Sequence, residues 1–89
     1  MKQIRLTGRE RSVLRVLDLS TGSTGEELLQ AARLEPDDLV AVLNSMLGPG
    51  YMEMVPCAEE ATLENFRTAH FDINPSYAME IRDAMARFY

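Results

Sequence analysis

Apolar residues recur at two different periods along this 89-residue chain, and the change of period divides it. From Leu6 to Leu47 they stand three and four residues apart, the spacing of helices with one buried stripe. Val13, Leu14, Val16 and Leu17, led in by Leu6, mark a first helix, with Arg11 and Arg15 facing away. Leu28, Leu29, Ala32 and Leu34 mark a second, running through "GEELLQAARL". Leu39, Val40, Leu43, Met46 and Leu47 mark a third over 36–47. From Tyr51 the period falls to two. "YMEMV" at 51–55 and "FRTAHFDI" at 66–73 alternate and carry aromatic and β-branched residues, which predicts an antiparallel hairpin joined by "PCAEEATLEN". Ala69, Phe71 and Ile73 then face the core. Helical spacing returns in Tyr77, Ala78, Ile81, Ala84, Met85 and Phe88, the apolar face of a closing helix.

Local chemistry sets the boundaries. "TGRE" at 7–10 and "TGEE" at 24–27 each place a Thr three residues before a Glu, the spacing of a reciprocal capping box, so helices start just after Thr7 and Thr24. "STGST" at 20–24 reads as a turn-rich spacer. Pro36 suits the first position of the third helix, and Asp37 and Asp38 suit the positive end of its dipole. "GPG" at 48–50 ends that helix, with a glycine supplying a left-handed cap. Asn74 and Pro75 repeat the cap-plus-proline start for the last helix.

At 46% hydrophobic and 26% charged residues, the chain is expected to form a single globular domain over 1–89. No apolar run approaches the roughly 20 residues of a membrane span, and residues 1–20 lack the layout of a secretory signal, so a cytoplasmic setting is expected. Cys57 is the only cysteine, which excludes a disulfide framework and a thiolate zinc site. His70 lies on the polar side of the second strand with no second ligand at metal spacing. One Cys and one His make no nucleophile–base arrangement, so no enzymatic activity, cofactor or metal is expected.

Charge changes the picture more. The net value is −5, yet Lys2, Arg5, Arg9, Arg11 and Arg15 against Glu10 give residues 1–17 a sum of +4, leaving −9 on the other 72. Cations that neutralise phosphates supply most nonspecific nucleic-acid affinity, and here they gather at one end.

The segment "GEELLQAARLEPDDLVAVLNSMLGPGYMEMV", 25–55, and less specifically "HFDINPSYAMEIRDAMARF", 70–88, resemble the winged helix-turn-helix superfamily, in particular MarR-like and PadR-like regulators. The resemblance implies an α+β winged helix-turn-helix fold with three helices, a two-stranded β-hairpin wing and a C-terminal helix. It also implies a third helix that enters the major groove and a wing that rests on backbone or minor groove. This sequence departs from the pattern at both places. The outward positions of its third helix are Asp37, Asp38, Ala41, Asn44 and Ser45, and its wing tip carries Glu59, Glu60 and Glu64.

Two readings follow. In the first the chain is a non-catalytic regulatory module whose Asp37, Asp38, Ala41, Asn44, Ser45, Glu59 and Glu60 form a surface for a protein partner, with self-association through the terminal helices. In the second it is a DNA-binding transcriptional regulator: Lys2, Arg5, Arg11 and Arg15 contact phosphates, while Asn44 and Ser45 add contacts from the third helix. Charge placement favours the first and fold analogy the second. Met52 and Met54 alternate with Tyr51 and Val55, so one set must face outward, and Met79 and Ala86 lie off the main stripe of the last helix.

Overall fold

A computed structural model describes residues 4–18 and 20–86. Lys2 and Phe88 lie outside them. The order is α1 (Gly8–Val16), β1 (Ser23–Thr24), α2 (Gly25–Ala32), α3 (Pro36–Leu47), β2 (Met52–Val55) and β3 (His70–Ile73), then a 3-10 turn (Pro75–Tyr77) and α4 (Ala78–Ala86).

Both capping boxes form. The Glu10 amide donates to the Thr7 hydroxyl at 3.1 Å while the Thr7 amide donates to the Glu10 carboxylate at 2.8 Å, and Thr24 and Glu27 repeat the exchange at the same distances. Each box satisfies two backbone amides that a helix start otherwise leaves open. The second helix stops at Ala32, because Arg33 takes the left-handed conformation at φ 59° and turns the chain toward α3. After α3 the left-handed residue is Gly50, at φ 88°, and Gly48 stays right-handed.

The sheet has three strands in the order β1-β3-β2, both pairs antiparallel, with Ser23 opposite Phe71 and Met54 opposite Phe71. Ser23 and Thr24, expected to be spacer, thus supply a third strand beyond the two-stranded hairpin. The second wing strand is shorter than its alternation implied: it begins at His70, and 66–69 is a turn. The reason lies at the start of α2, where the Gly25 and Glu26 amides donate to the Ala69 and Arg67 carbonyls at 3.0 and 3.1 Å. The turn's backbone is spent on the helix end rather than on β2.

The core lies between the helices and the inner face of the sheet. Phe66, Phe71, Leu28, Leu39, Leu43, Met46 and Val13 are its largest fully buried side chains. Met52 and Met54 point inward and Val55 outward, 64% exposed, which resolves the alternation of β2. Val42, left off the α3 stripe by the spacing argument, is buried, whereas Val40 and Leu47 are half-buried. The Tyr51 and Tyr77 rings meet edge to face, centroids 5.2 Å apart, joining the entry to β2 with the turn before α4.

Between α1 and β1 the Asp18 carboxylate accepts the Ser20 and Thr21 amides at 2.9 and 3.2 Å. Those amide bonds, Ser20 first, hold its pKa below the usual carboxylate value. A folded-state pKa lowered in this way adds stability above the unfolded value that is lost as pH falls through the folded one. Asp18→Asn is therefore expected to lower Tm slightly at neutral pH. The difference should shrink below about pH 4 as the wild-type carboxyl protonates, which paired thermal melts across pH would show.

Candidate nucleic-acid interface

α2, the left-handed turn at Arg33 and α3 make the helix-turn-helix unit, and the β2–β3 hairpin with its long loop makes the wing. Positions 37, 41, 44 and 48 follow one another at four, three and four residues, so Asp37, Ala41, Asn44 and Gly48 share the outward face of α3. Asp37, Ala41 and Gly48 are exposed, but Asn44 is half-buried.

The cause is the wing loop. The Asn44 amide nitrogen donates to the Ala61 carbonyl at 2.9 Å, and its carbonyl oxygen accepts the Ala61 N–H at 2.7 Å. Ala61 is buried beneath this double bond. The loop is braced behind it by Thr62 and Asn65, whose amides donate to each other's side-chain oxygens at 2.8 and 3.1 Å, and by fully buried Phe66. "TLEN" at 62–65 repeats the spacing of "TGRE" and "TGEE" with Asn in place of Glu, and it is the sequence signal for this brace.

Ser45 is also committed. Its hydroxyl lies 2.7 Å from the Val42 carbonyl and 2.5 Å from a Glu10 carboxylate oxygen, so its proton serves two internal acceptors. Glu10 is buried, with one oxygen on the Thr7 amide and the other on Ser45, which satisfies a carboxylate removed from water. Of the two residues expected on the exposed face of α3, Asn44 is half-buried and Ser45 is exposed, and both side chains bond to neighbouring elements.

The carboxylates of α3 have a local reason to be there. Asp37 and Asp38 occupy the first turn, where the helix dipole favours negative charge by about 0.3–1 kcal/mol each, and Glu35 at the N-cap makes no side-chain cap bond. Asp38 pairs with Arg9 of α1 at 3.3 Å, both partners substantially exposed, a contact worth at most about 1 kcal/mol. The Arg9–Asp38 and Glu10–Ser45 contacts lay the first turn of α1 along α3.

Of the expected phosphate contacts, Arg5 and Arg15 are exposed. Arg11, expected to face away from the body, is half-buried, and its guanidinium donates to the Leu6 carbonyl at 3.2 Å. Folding of the segment before α1 back over that helix explains the difference. In the wing, Glu59, Glu60 and Glu64 are exposed, and Arg67, a cation not singled out from the sequence, pairs with Glu26 at 2.7 Å. That contact and the Gln30 amide hold the Glu26 pKa below its ordinary value.

His70 places Nε2 2.6 Å from the Thr21 carbonyl, which fastens β3 to the turn before β1. Cys57 is exposed in the wing loop. Among the described residues no group of three or more His, Cys, Asp or Glu is placed to hold a metal, and no helix is long and apolar enough to cross a membrane.

No protein-family model matches the chain, nor does any curated protein. Among solved structures it is similar to the crystal structure of a MarR family transcription regulator, at 21% identity and a TM-score of 0.66, over 91% of this chain and 50% of that one. The chain therefore spans about half the length of the regulator it matches. Two helices meeting at a left-handed turn, a hairpin and a third strand from before α2 make up this chain's architecture, and with that likeness the chain has the winged helix-turn-helix fold.

Proposed function

We propose that this chain is a winged-helix regulator of transcription that meets DNA from its amino-terminal flank rather than by leading with α3. The observation that carries the reading is the fold it shares, over nearly its whole length, with a transcription regulator. Charge then chooses the docking side. Arg5 and Arg15 are exposed and Lys2 precedes them in sequence, while the outward stripe of α3 and the tip of the wing carry carboxylates and no cation. Phosphates are attracted to the first surface and repelled by the second.

Counterion release gives this a number. Two or three phosphate contacts imply that log K falls with log salt at a slope of roughly −2 to −3, far shallower than for a reader with six to ten contacts. Fluorescence anisotropy of a mixed-sequence duplex, titrated at several salt concentrations, is expected to show weak binding with that slope. Arg5→Ala/Arg15→Ala should reduce the slope by about 2. Absence of binding at low salt would sink the reading.

A second reading is favoured by the acidic character of the exposed α3 face and the wing tip: Asp37, Asp38, Ala41, Ser45, Glu59 and Glu60 would present a surface to a basic protein partner, with Asn44 held by the wing loop. It takes over if the titration shows no duplex binding. Self-association belongs to either reading, and Met79, 81% exposed on α4, is the apolar side chain best placed to serve it.

A further inference from the structure

The double bond between Asn44 and Ala61 has a geometry that is also a code. Asn44 offers one donor and one acceptor from the outward face of α3, and the Ala61 peptide answers with one N–H and one C=O, at 2.7 and 2.9 Å. In the major groove adenine presents the same pair, the N6 amino donor beside the N7 acceptor, and asparagine reads it through two bonds. The side chain is thus held by a backbone group with the hydrogen-bonding pattern of a base edge. Asn44 shares its stripe with Asp37, Ala41 and Gly48, all exposed, so the loop covers the residue of that stripe whose side chain carries both a donor and an acceptor. The covering loop also brings carboxylates: Glu60 is the residue bonded to the Ala61 amide, with Glu59 before it, both exposed.

We propose that Ala61 is an internal stand-in for adenine and that Asn44 is a specificity-determining residue masked by it. This rests on the DNA-binding reading above. When the flank docks on a duplex carrying A·T pairs, Asn44 exchanges the Ala61 peptide for the adenine edge and the loop lifts, taking Glu59 and Glu60 away from the phosphates. On a duplex of G·C pairs alone the exchange brings no matching partner, and the loop stays down. The pattern of the peptide suits adenine and no other base, because guanine offers two acceptors at the corresponding edge and the pyrimidines one group each.

The test has two arms on the full chain. Affinities for a mixed duplex and for an all-G·C duplex of equal length are compared for wild type and Asn44→Ala at one low salt concentration. Wild type is expected to prefer the mixed duplex by roughly five- to tenfold, below what a bidentate contact gives when nothing must be exchanged for it. Asn44→Ala is expected to bring the ratio to about one while leaving binding to the G·C duplex within twofold or tightening it. The second arm needs no variant: hydrogen exchange at the Ala61 amide of the unmodified chain should be slow when free and fast on saturation with the mixed duplex. A ratio that does not depend on Asn44, or an Ala61 amide still protected at saturation, overturns the stand-in while leaving flank docking intact. Failure of wild type to bind either duplex overturns both.

Discussion

Gly25→Ala is expected to cost about 3 kcal/mol of folding stability, at the upper end of the range for overpacking a tight interior. Gly25 opens α2, where alanine is ordinarily the better residue by up to about 1 kcal/mol, so propensity alone predicts the opposite sign. Sterics decide. A Cβ there would stand 1.8 Å from the Phe66 carbonyl oxygen and 2.6 Å from its carbonyl carbon, and a main-chain group cannot rotate aside as a flexible side chain would. Moving it breaks the bonds from the Gly25 and Glu26 amides to Ala69 and Arg67, which stop both the helix and the turn from carrying open polar groups. For a domain of this size the loss corresponds to roughly 12–24 °C in Tm. Thermal and urea melts would decide it, and a variant as stable as wild type would show that the 66–69 turn is not packed on α2 as described.

Phe66→Ala should be comparably severe, about 3–5 kcal/mol, the range for deleting a buried aromatic ring. The ring is fully buried although it sits in a turn, and the Arg67 guanidinium lies 5.3 Å from its centroid on the outer side. Its neighbour Leu63, 54% exposed in the same loop, provides the control: Leu63→Ala should stay within about 0.5 kcal/mol of wild type. A large gap between the two shows that the loop is anchored by one side chain. Equal small effects would mean that the wing loop is loose and that Phe66 is not a core residue. The Ala61 amide offers an independent reading, since loss of the anchor should speed its exchange in Phe66→Ala but not in Leu63→Ala.

The helices were legible in the sequence because their signals are local. Thr7 with Glu10, Thr24 with Glu27, and Pro36 after Glu35 each set a boundary within four residues, and the structure places α1, α2 and α3 at those starts. The wing was legible in kind but not in extent. Alternation through 66–73 is compatible with a strand, yet 66–69 is claimed by the start of α2, more than 40 residues away in sequence, and nothing within the segment encodes that competition. β1 was hidden for a related reason: two residues of "STGST" have no period of their own and become a strand only opposite Phe71 and His70. On α3 the outward stripe was readable from spacing, but the destinations of Asn44 and Ser45 were not. Both are polar residues whose partners, Ala61 and Glu10, lie 17 and 35 positions distant. A polar residue at an outward position looks the same in sequence whether it meets water, a base or the chain itself.

The strand order carries a consequence for how the molecule assembles. β3 is flanked by β2, which precedes it through one loop, and by β1, from which α2, α3 and β2 all separate it. Closing the longer loop costs only modestly more chain entropy, by roughly 0.6 kcal/mol for each doubling, but its reward comes late, when α2 and α3 are already docked. The β2–β3 pairing can therefore form before the β1–β3 pairing, which acts as the latch that closes the sheet. Substitutions in β2 should slow refolding, and substitutions at Ser23 or Thr24 should act chiefly by speeding unfolding.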